Sequence, residues 1–433
     1  MASKTDVIVY IGRFSPFHLG HAHVLEQAIK ASKLTIVLIG SSFQARSLKN
    51  PFTFEEREHM IRMWATSRKC DQQALIILPL VDHPYNDTKW IEQVQNTVKK
   101  AVTSFTPHDT IDISITGSDR DESTWYLHSF PQWQQALVSE YSRPDDAKVN
   151  ATSVRNIMYG KPETLATPDI LAELQGLVTS AHAESLGPKE LMKKLRSTIL
   201  HISQVKIAKL NDDELASAEL QLRTKLPPSS ASFVTRFMAT SQCSLLRREQ
   251  AFVLAYKSAW SSAPYEPIFV TTDAVVVQSG HVLLVKRGAF PGEGLWALPG
   301  GFIDPQERLI NCVVREIMEE TDIRLAEGKK GMEITRSILT ASIKDKEIFD
   351  KPDRSSRGRT ITTAFLIQLD DTKPLPKVKG MNAPLHETNG VEIVETIEAG
   401  WVPISDALAR TDMWFEDHAA ILATMISRLA QAR

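Results

Sequence analysis

A pair of histidines and a trio of glutamates mark the two places where this chain could do chemistry. His18 and His21 lie in Gly12-Arg13-Phe14-Ser15-Pro16-Phe17-His18-Leu19-Gly20-His21, and Glu316, Glu319 and Glu320 follow Gly301, Glu307 and Arg315. The histidines stand where an apolar strand gives way to a helical pattern. Backbone N–H groups at a helix start face outward, and the helix dipole favours an anion there. Gly20 lets the chain approach a phosphate closely, His18 and His21 can each donate to phosphate oxygens, and Arg13 adds fixed positive charge. In-line attack of one phosphate on another suits these parts, because it needs positioning and charge stabilisation more than a protein nucleophile. Two histidines in an ordinary turn would explain a bare His-x-Gly-His, but not the surrounding Gly-Arg-Phe-x-Pro-x-His.

The glutamates are spaced i, i+3 and i+4, so a helix puts all three carboxylates on one face. Three like charges this close repel one another. A hard divalent cation resolves that repulsion, and oxygen ligands with room for phosphate suggest Mg²⁺ or Mn²⁺. Arg315 could pair with Glu307 and hold the preceding loop over the helix. Acidic clusters on helix surfaces are usually solvated; the fixed spacing to Gly301 and Glu307 argues otherwise. The first site would make a phosphoanhydride bond and the second would break one.

The elements that must position these groups follow from the pattern of apolar residues. The first ~150 residues alternate strand and helix as in a parallel α/β sheet. Strands are expected at 7–11, 34–39, 75–80 and 111–116, and helices at 20–31, 54–64 and 90–102. Thr53 is placed to cap the second helix, with Glu56 completing a capping box. From about 160 to 260 the chain reads as helical, polar and punctuated by prolines. Ser261-Ser262-Ala263-Pro264-Tyr265-Glu266-Pro267 has the look of a domain junction. Strand patterns then dominate, at 275–277 and 282–285 across a Ser279-Gly280 turn. A helix over 307–320, a strand at 361–369 and a closing helix near 416–430 complete an expected α+β or α/β/α sandwich.

At 433 residues the chain is too long for one hydrophobic core. Its formal net charge of −2 gives no reason to expect nucleic-acid or membrane-surface binding. Cys70, Cys243 and Cys312 lie far apart, form no metal-ligand spacing and cannot make a disulfide framework. A first strand beginning almost at once leaves no room for a signal peptide, and no apolar run approaches the roughly 20 residues needed to span a bilayer. A cytoplasmic location is expected.

The N-terminal residues resemble a known superfamily. His18-Leu19-Gly20-His21 is similar to the signature of the nucleotidyltransferases, and the longer Gly-Arg-Phe start resembles archaeal-type nicotinamide-mononucleotide adenylyltransferases. That resemblance implies a Rossmann-like domain transferring adenylyl from ATP to nicotinamide mononucleotide. A second motif, Ile-Ser-x-Thr-x-x-Arg, is matched by Val149-Asn150-Ala151-Thr152-Ser153-Val154-Arg155. It implies Thr152 at a helix start and Arg155 on the ATP phosphates, with Asn150 where serine is usual. Trp90 matches the tryptophan that stacks on the nicotinamide ring, as suits a cationic ring on an indole face; a core tryptophan at a helix start is the plainer alternative. Asp119 is a candidate for the ribose or adenine side, and Arg46 and Lys49 are further phosphate candidates, with plain solvated surface charge as the equal alternative.

Gly301, Glu307, Arg315, Glu316, Ile317, Glu319, Glu320 and Ile323 resemble a Nudix box. The resemblance implies a Nudix α/β/α sandwich in which Glu316 and Glu320 bind metal, Glu319 assists, and water attacks a diphosphate. Asp322 replaces the closing glycine, which normally suits a left-handed turn; Asp tolerates that conformation better than most residues, at roughly 1 kcal/mol. The segment 349–359 and Phe415-Glu416-Asp417-His418 resemble ADP-ribose pyrophosphatases fused to such adenylyltransferases, with Arg357 and Arg359 as candidate phosphate contacts. The expected layout is a nucleotidyltransferase domain over 1–260, including a helical insertion at about 161–225, and a Nudix domain over 265–433. The expected partners are ATP, nicotinamide mononucleotide and ADP-ribose, with Mg²⁺ or Mn²⁺, no nucleic acid and no membrane; a homo-oligomer is left open. A Nudix domain that senses a nucleotide without turnover is the rival reading, motivated by Asp322.

Overall fold

The structure is a computed structural model describing residues 4–105, 111–117, 126–139, 141, 149–160, 211–261, 263–378 and 396–431. Two compact units emerge: one of residues 1–161 with 209–247, the other beginning, among the described residues, at Arg248. Most of the expected 161–225 insertion lies outside the described residues; only its end, from Asn211, is seen.

In the first unit, β1 (Thr5–Gly12), β2 (Ser32–Ile39), β3 (Leu75–Pro79), β4 (Ile113–Thr116) and β5 (Gln134–Gln135) form a sheet in the order 3-2-1-4-5. All its pairings are parallel. Alternate residues of the strands face opposite sides, and both sides are apolar, as a parallel sheet covered on two faces requires. Val7, Val9, Ile11, Leu34, Ile36 and Leu38 pack with Val94 and Val98 of α3 (Asp87–Phe105). Tyr10, Val37 and Ile39 pack on the other side with α1 (Leu19–Ala31), α2 (Phe54–Ser67) and α4 (Ala151–Tyr159). The same cluster takes in α5 (Asp212–Arg223), α6 (Pro228–Met238) and the first turns of α7 (Ser241–Ala259). This doubly wound order is the Rossmann-like sheet expected from the sequence, and it places a crevice beyond the strand ends at the β1–β4 reversal.

The capping box on α2 is present: Thr53 accepts from Glu56 N–H at 3.3 Å, and Glu56 accepts from Thr53 N–H at 2.9 Å. It fixes the start of a helix whose Arg57 is 1% exposed. The Arg57 guanidinium donates to the carbonyls of Arg13 (2.8 Å), Gly40 (2.7 Å) and Ser41 (3.1 Å), tying together the ends of β1 and β2. Burial lowers its pKa to about 10, which still leaves it charged at neutral pH. Arg57→Met should leave buried carbonyls without donors and cost about 3 kcal/mol or more. A urea-denaturation midpoint that does not move would show that these bonds carry no net stability.

In the second unit, β6 (Phe269–Gln278), β7 (His281–Arg287), β10 (Ile343–Phe349), β11 (Thr360–Gln368) and β12 (Thr396–Pro403) are ordered 10-11-6-7-12. Short strands β8 (Trp296–Ala297) and β9 (Gly300–Phe302) pair with β7 and β6. The β6–β7 hairpin turns through Ser279 (φ 48°) and Gly280 (φ 74°), as a two-residue loop with both central residues left-handed. Ala274 and Val276 pack against Val313 and Ile317 of α8 (Leu309–Thr321) and Leu339 of α9 (Gly331–Ala341). After β12 come α10 (Ile404–Ala409) and α11 (His418–Gln431), which buries Ile421, Leu422 and Met425. Among the described residues, no helix is long and apolar enough to cross a membrane.

Candidate functional sites

His18 is the N-cap of α1. Its Nδ1 accepts from His21 N–H at 3.3 Å, while His21 Nδ1 accepts from His18 N–H at 3.3 Å. The rings stack, with centroids 3.6 Å apart and planes 18° from parallel. An imidazole that accepts at Nδ1 carries its proton at Nε2 when neutral. Both rings are thereby set as Nε2–H donors at a helix start. Phe14 and Phe17, both fully buried, pack against the His21 ring with centroids 4.9 and 6.1 Å away. Gly20 is buried in the first turn of α1.

Arg155, on α4, reaches this loop: Nη1 donates to Ser15 O at 3.1 Å and Nη2 to Thr152 Oγ1 at 3.1 Å. Asn150 caps α4 by accepting from Ser153 N–H at 2.8 Å, so asparagine fulfils the capping role of the usual serine. Burial lowers the pKa of Arg155, and the charge of exposed Arg13 pushes the same way. An anion placed between these guanidiniums would relieve that repulsion.

Trp90 sits in the first turn of α3, half-buried, packed against the β1–β4 side of the core and 6.2 Å from Tyr126 and Phe130. Asp119 lies outside the described residues. Arg46 is not a spare cation: it forms a two-pronged ion pair with Glu56 at 2.6 and 2.9 Å and donates to Pro51 O. The carboxylate of the capping box holds it. Lys49 is exposed.

In the second unit, α8 carries the glutamates. Arg315 grips Glu307 through Nε (2.9 Å) and Nη2 (2.7 Å), donates to Phe302 O, and meets Glu316 at 2.5 Å. Burial works against its charge, yet the hydrogen bonds and charges of Glu307 and Glu316 hold its pKa above the ordinary arginine value. The expected Arg315–Glu307 pairing is thus made, and the loop is pinned over the helix. Gly301 is required by close approach: a Cβ there would lie 2.7 Å from the Glu316 carboxylate. Asp322 ends α8 in the left-handed conformation (φ 46°, ψ 33°), with its N–H on Met318 O and its carboxylate on Arg324. Aspartate therefore makes the turn that glycine would make, and the motive for a non-hydrolysing site weakens.

Glu316, 4% exposed, and Glu320 line a pocket with Gly300, Gly301, Arg287, Arg354 and Arg357. Glu320 accepts from Gly300 N–H at 2.9 Å. Glu319 does not line this pocket; one turn beyond Arg315, it joins that guanidinium at 3.2 Å. Among the described residues, no three His, Cys, Asp or Glu side chains are gathered as a bound ion would gather them. The donor set nevertheless fits a divalent cation: hard carboxylate oxygens on one wall, guanidiniums for phosphate on the others. Arg357 is 8% exposed, 5.1 Å from the Phe302 ring centroid. Arg359 turns away to the carbonyl of Asp350 and is not part of the lining.

Sequence reasoning missed Arg287 and Arg354. Arg287 lies 4.0 Å over the Phe415 ring and donates to Pro291 O. Arg354, buried, pairs with Asp417 at 2.8 and 3.0 Å. Nothing in the local pattern of β7 marks Arg287. Arg354 lay inside a segment already singled out, and its partner is 63 residues away.

Comparison with known proteins finds relatives of both parts of the chain. The cytidylyltransferase-like family matches residues 9–138 and the NUDIX domain family residues 268–425. A nicotinamide/nicotinic acid mononucleotide adenylyltransferase of Acinetobacter baylyi is 33% identical over 195 residues, covering 45% of this chain and 95% of that protein. An ADP-ribose pyrophosphatase of Methanocaldococcus jannaschii is 32% identical over 100 residues, 23% of this chain and 50% of that protein. A crystal structure of a bifunctional NMN adenylyltransferase/ADP-ribose pyrophosphatase from Francisella tularensis, complexed with AMP and manganese, superposes with a TM-score of 0.71. It is 29% identical and covers 98% of this chain and 99% of that one. A second structure of the Francisella protein is 30% identical, with a TM-score of 0.70 and coverage of 98% and 99%.

Proposed function

This chain belongs to the family of bifunctional NMN adenylyltransferase/ADP-ribose pyrophosphatases, and from that premise we propose how its residues divide the work. The first activity joins ATP and nicotinamide mononucleotide into NAD and pyrophosphate. The second hydrolyses ADP-ribose to AMP and ribose 5-phosphate. Residues up to about 260 serve the first, and 265–433 the second. The observation carrying the pairing is a match to the Francisella protein along nearly the whole of both chains.

At the first site, the Nε2–H groups of His18 and His21 donate to phosphate oxygens of ATP. Arg13 and Arg155 neutralise charge that builds as the α-phosphorus is attacked. Arg57 keeps the carbonyls of Arg13 and Gly40 in place beneath them. Trp90 offers its indole face to the pyridine ring.

At the second site, Glu316 and Glu320 would hold a divalent cation, with Glu319 assisting through Arg315. When bound, such an ion polarises the diphosphate and acidifies water. Arg315 and Glu307 keep the helix carboxylates aimed at the pocket, and Arg357 faces the phosphate oxygens. Either magnesium or manganese suits these hard oxygen ligands. Removing metal with EDTA should lower ADP-ribose hydrolysis by about a thousandfold, and magnesium alone should restore it. Hydrolysis that persists in excess chelator would sink this assignment.

A further inference from the structure

Beyond the glutamates and arginines, the second pocket holds a donor and an acceptor that face one another without bonding. His418 Nδ1 accepts from Leu298 N–H at 3.0 Å. Its proton is therefore on Nε2, and Nε2 lies 3.9 Å from Asp273 Oδ1, too far for a hydrogen bond. Burial pushes the imidazole down to about 3, so it is neutral at any working pH. The other oxygen of Asp273 is already engaged: Thr362 Oγ1 donates to Oδ2 at 2.7 Å, and Arg354 stands 3.8 Å from the same oxygen. Both residues are buried, at 6% and 5% exposure, and both line the pocket that contains Glu316 and Glu320.

The geometry keeps this gap open. A Cβ on Gly300 would come within 2.7 Å of Asp273 Oδ1 and 2.2 Å of Thr272 O, so any other residue there would block that oxygen. The chemistry of the gap is selective. A phosphate oxygen can accept from His418 but would be repelled by Asp273. A hydroxyl can accept from Nε2–H and donate to Oδ1 at the same time.

We propose that His418 and Asp273 form a hydroxyl-reading pair that holds one sugar hydroxyl of the diphosphate substrate. The proposal rests on the ADP-ribose hydrolysis assigned above, and that substrate carries hydroxyls on two riboses. A site built to bond a hydroxyl discriminates against a substrate that lacks it, because its own polar groups are then left unpaired.

The test measures kcat/KM of the full-length protein with magnesium, for ADP-ribose and for analogues each lacking one hydroxyl on the adenosine ribose or on the terminal ribose. The parent should lose about 10- to 100-fold on one of these analogues. The position of that analogue identifies the sugar. His418→Phe and Asp273→Asn should each lose a comparable factor on ADP-ribose itself, yet handle that analogue and ADP-ribose alike to within about threefold. A parent that hydrolyses every analogue equally well would overturn the proposal. So would variants that slow all substrates by one common factor and keep the parent's preference, as expected if the pair holds only water. The parent panel decides the matter even if His418→Phe does not fold. A parent inactive on ADP-ribose would instead overturn the underlying assignment, a different result from flat discrimination.

Discussion

Glu320→Gln is expected to reduce ADP-ribose hydrolysis by about a thousandfold or more, while NAD synthesis by the same preparation stays within about twofold of the parent. The substitution removes one negative charge and little else. A glutamine oxygen can still accept from Gly300 N–H, the contact that Glu320 makes at 2.9 Å. Thr396 Oγ1, at 3.4 Å, likewise keeps an oxygen or amide partner. The fold of the loop is therefore preserved, and the loss reports on the carboxylate's charge. Glu319→Gln should cost far less, since the Glu319 side chain is 44% exposed and belongs to the Arg315 ion pair instead of the pocket wall. Assays of both products with both variants give the ranking. Equal losses for Glu319 and Glu320 would contradict the division of roles drawn from the pocket.

His18→Ala should have the converse effect. NAD synthesis should fall by about 10²- to 10³-fold, the usual result of removing one donor to a developing negative charge. Alanine also removes an N-cap, which by itself destabilises a helix by about 1 kcal/mol. His18→Asn separates the two contributions. Asparagine is among the best N-cap residues, as Asn150 illustrates on α4, but it cannot place a donor where the imidazole Nε2–H stands. The asparagine variant should unfold thermally near the parent temperature and remain defective in synthesis. Recovery of synthesis to within about threefold of the parent would make His18 a capping residue only.

Local features of this fold were legible because local physics specifies them. The Thr53–Glu56 capping box, the Ser279–Gly280 hairpin and the alternation of strand and helix before residue 120 depend on neighbours within a few positions, and the structure holds them where the sequence placed them. The i, i+3, i+4 glutamates were legible for the same reason. The left-handed turn at Asp322 was foreseeable from the position of the missing glycine. What was not legible depends on partners distant along the chain. Arg57 resembles any helix-surface arginine until the β1 and β2 ends are brought beneath it. Nothing local showed that Glu56 would serve both its cap and the Arg46 guanidinium. Asp273, in an apolar strand, acquires its role only when α11 delivers His418 from 145 residues away. Strand β10 and helix α9 also escaped notice: β10 has an alternating pattern weakened by charge, and α9 begins after a run of glycine and lysine.

The most direct test of the account is product analysis of one purified preparation. It would be incubated with magnesium and either ATP plus nicotinamide mononucleotide or ADP-ribose, beside Glu320→Gln. The account predicts NAD and pyrophosphate from the first mixture with both proteins. From the second it predicts AMP and ribose 5-phosphate with the parent alone. ADP-ribose recovered intact from the parent, or NAD synthesis lost together with hydrolysis in a folded Glu320→Gln protein, would contradict two independent catalytic sites on one chain.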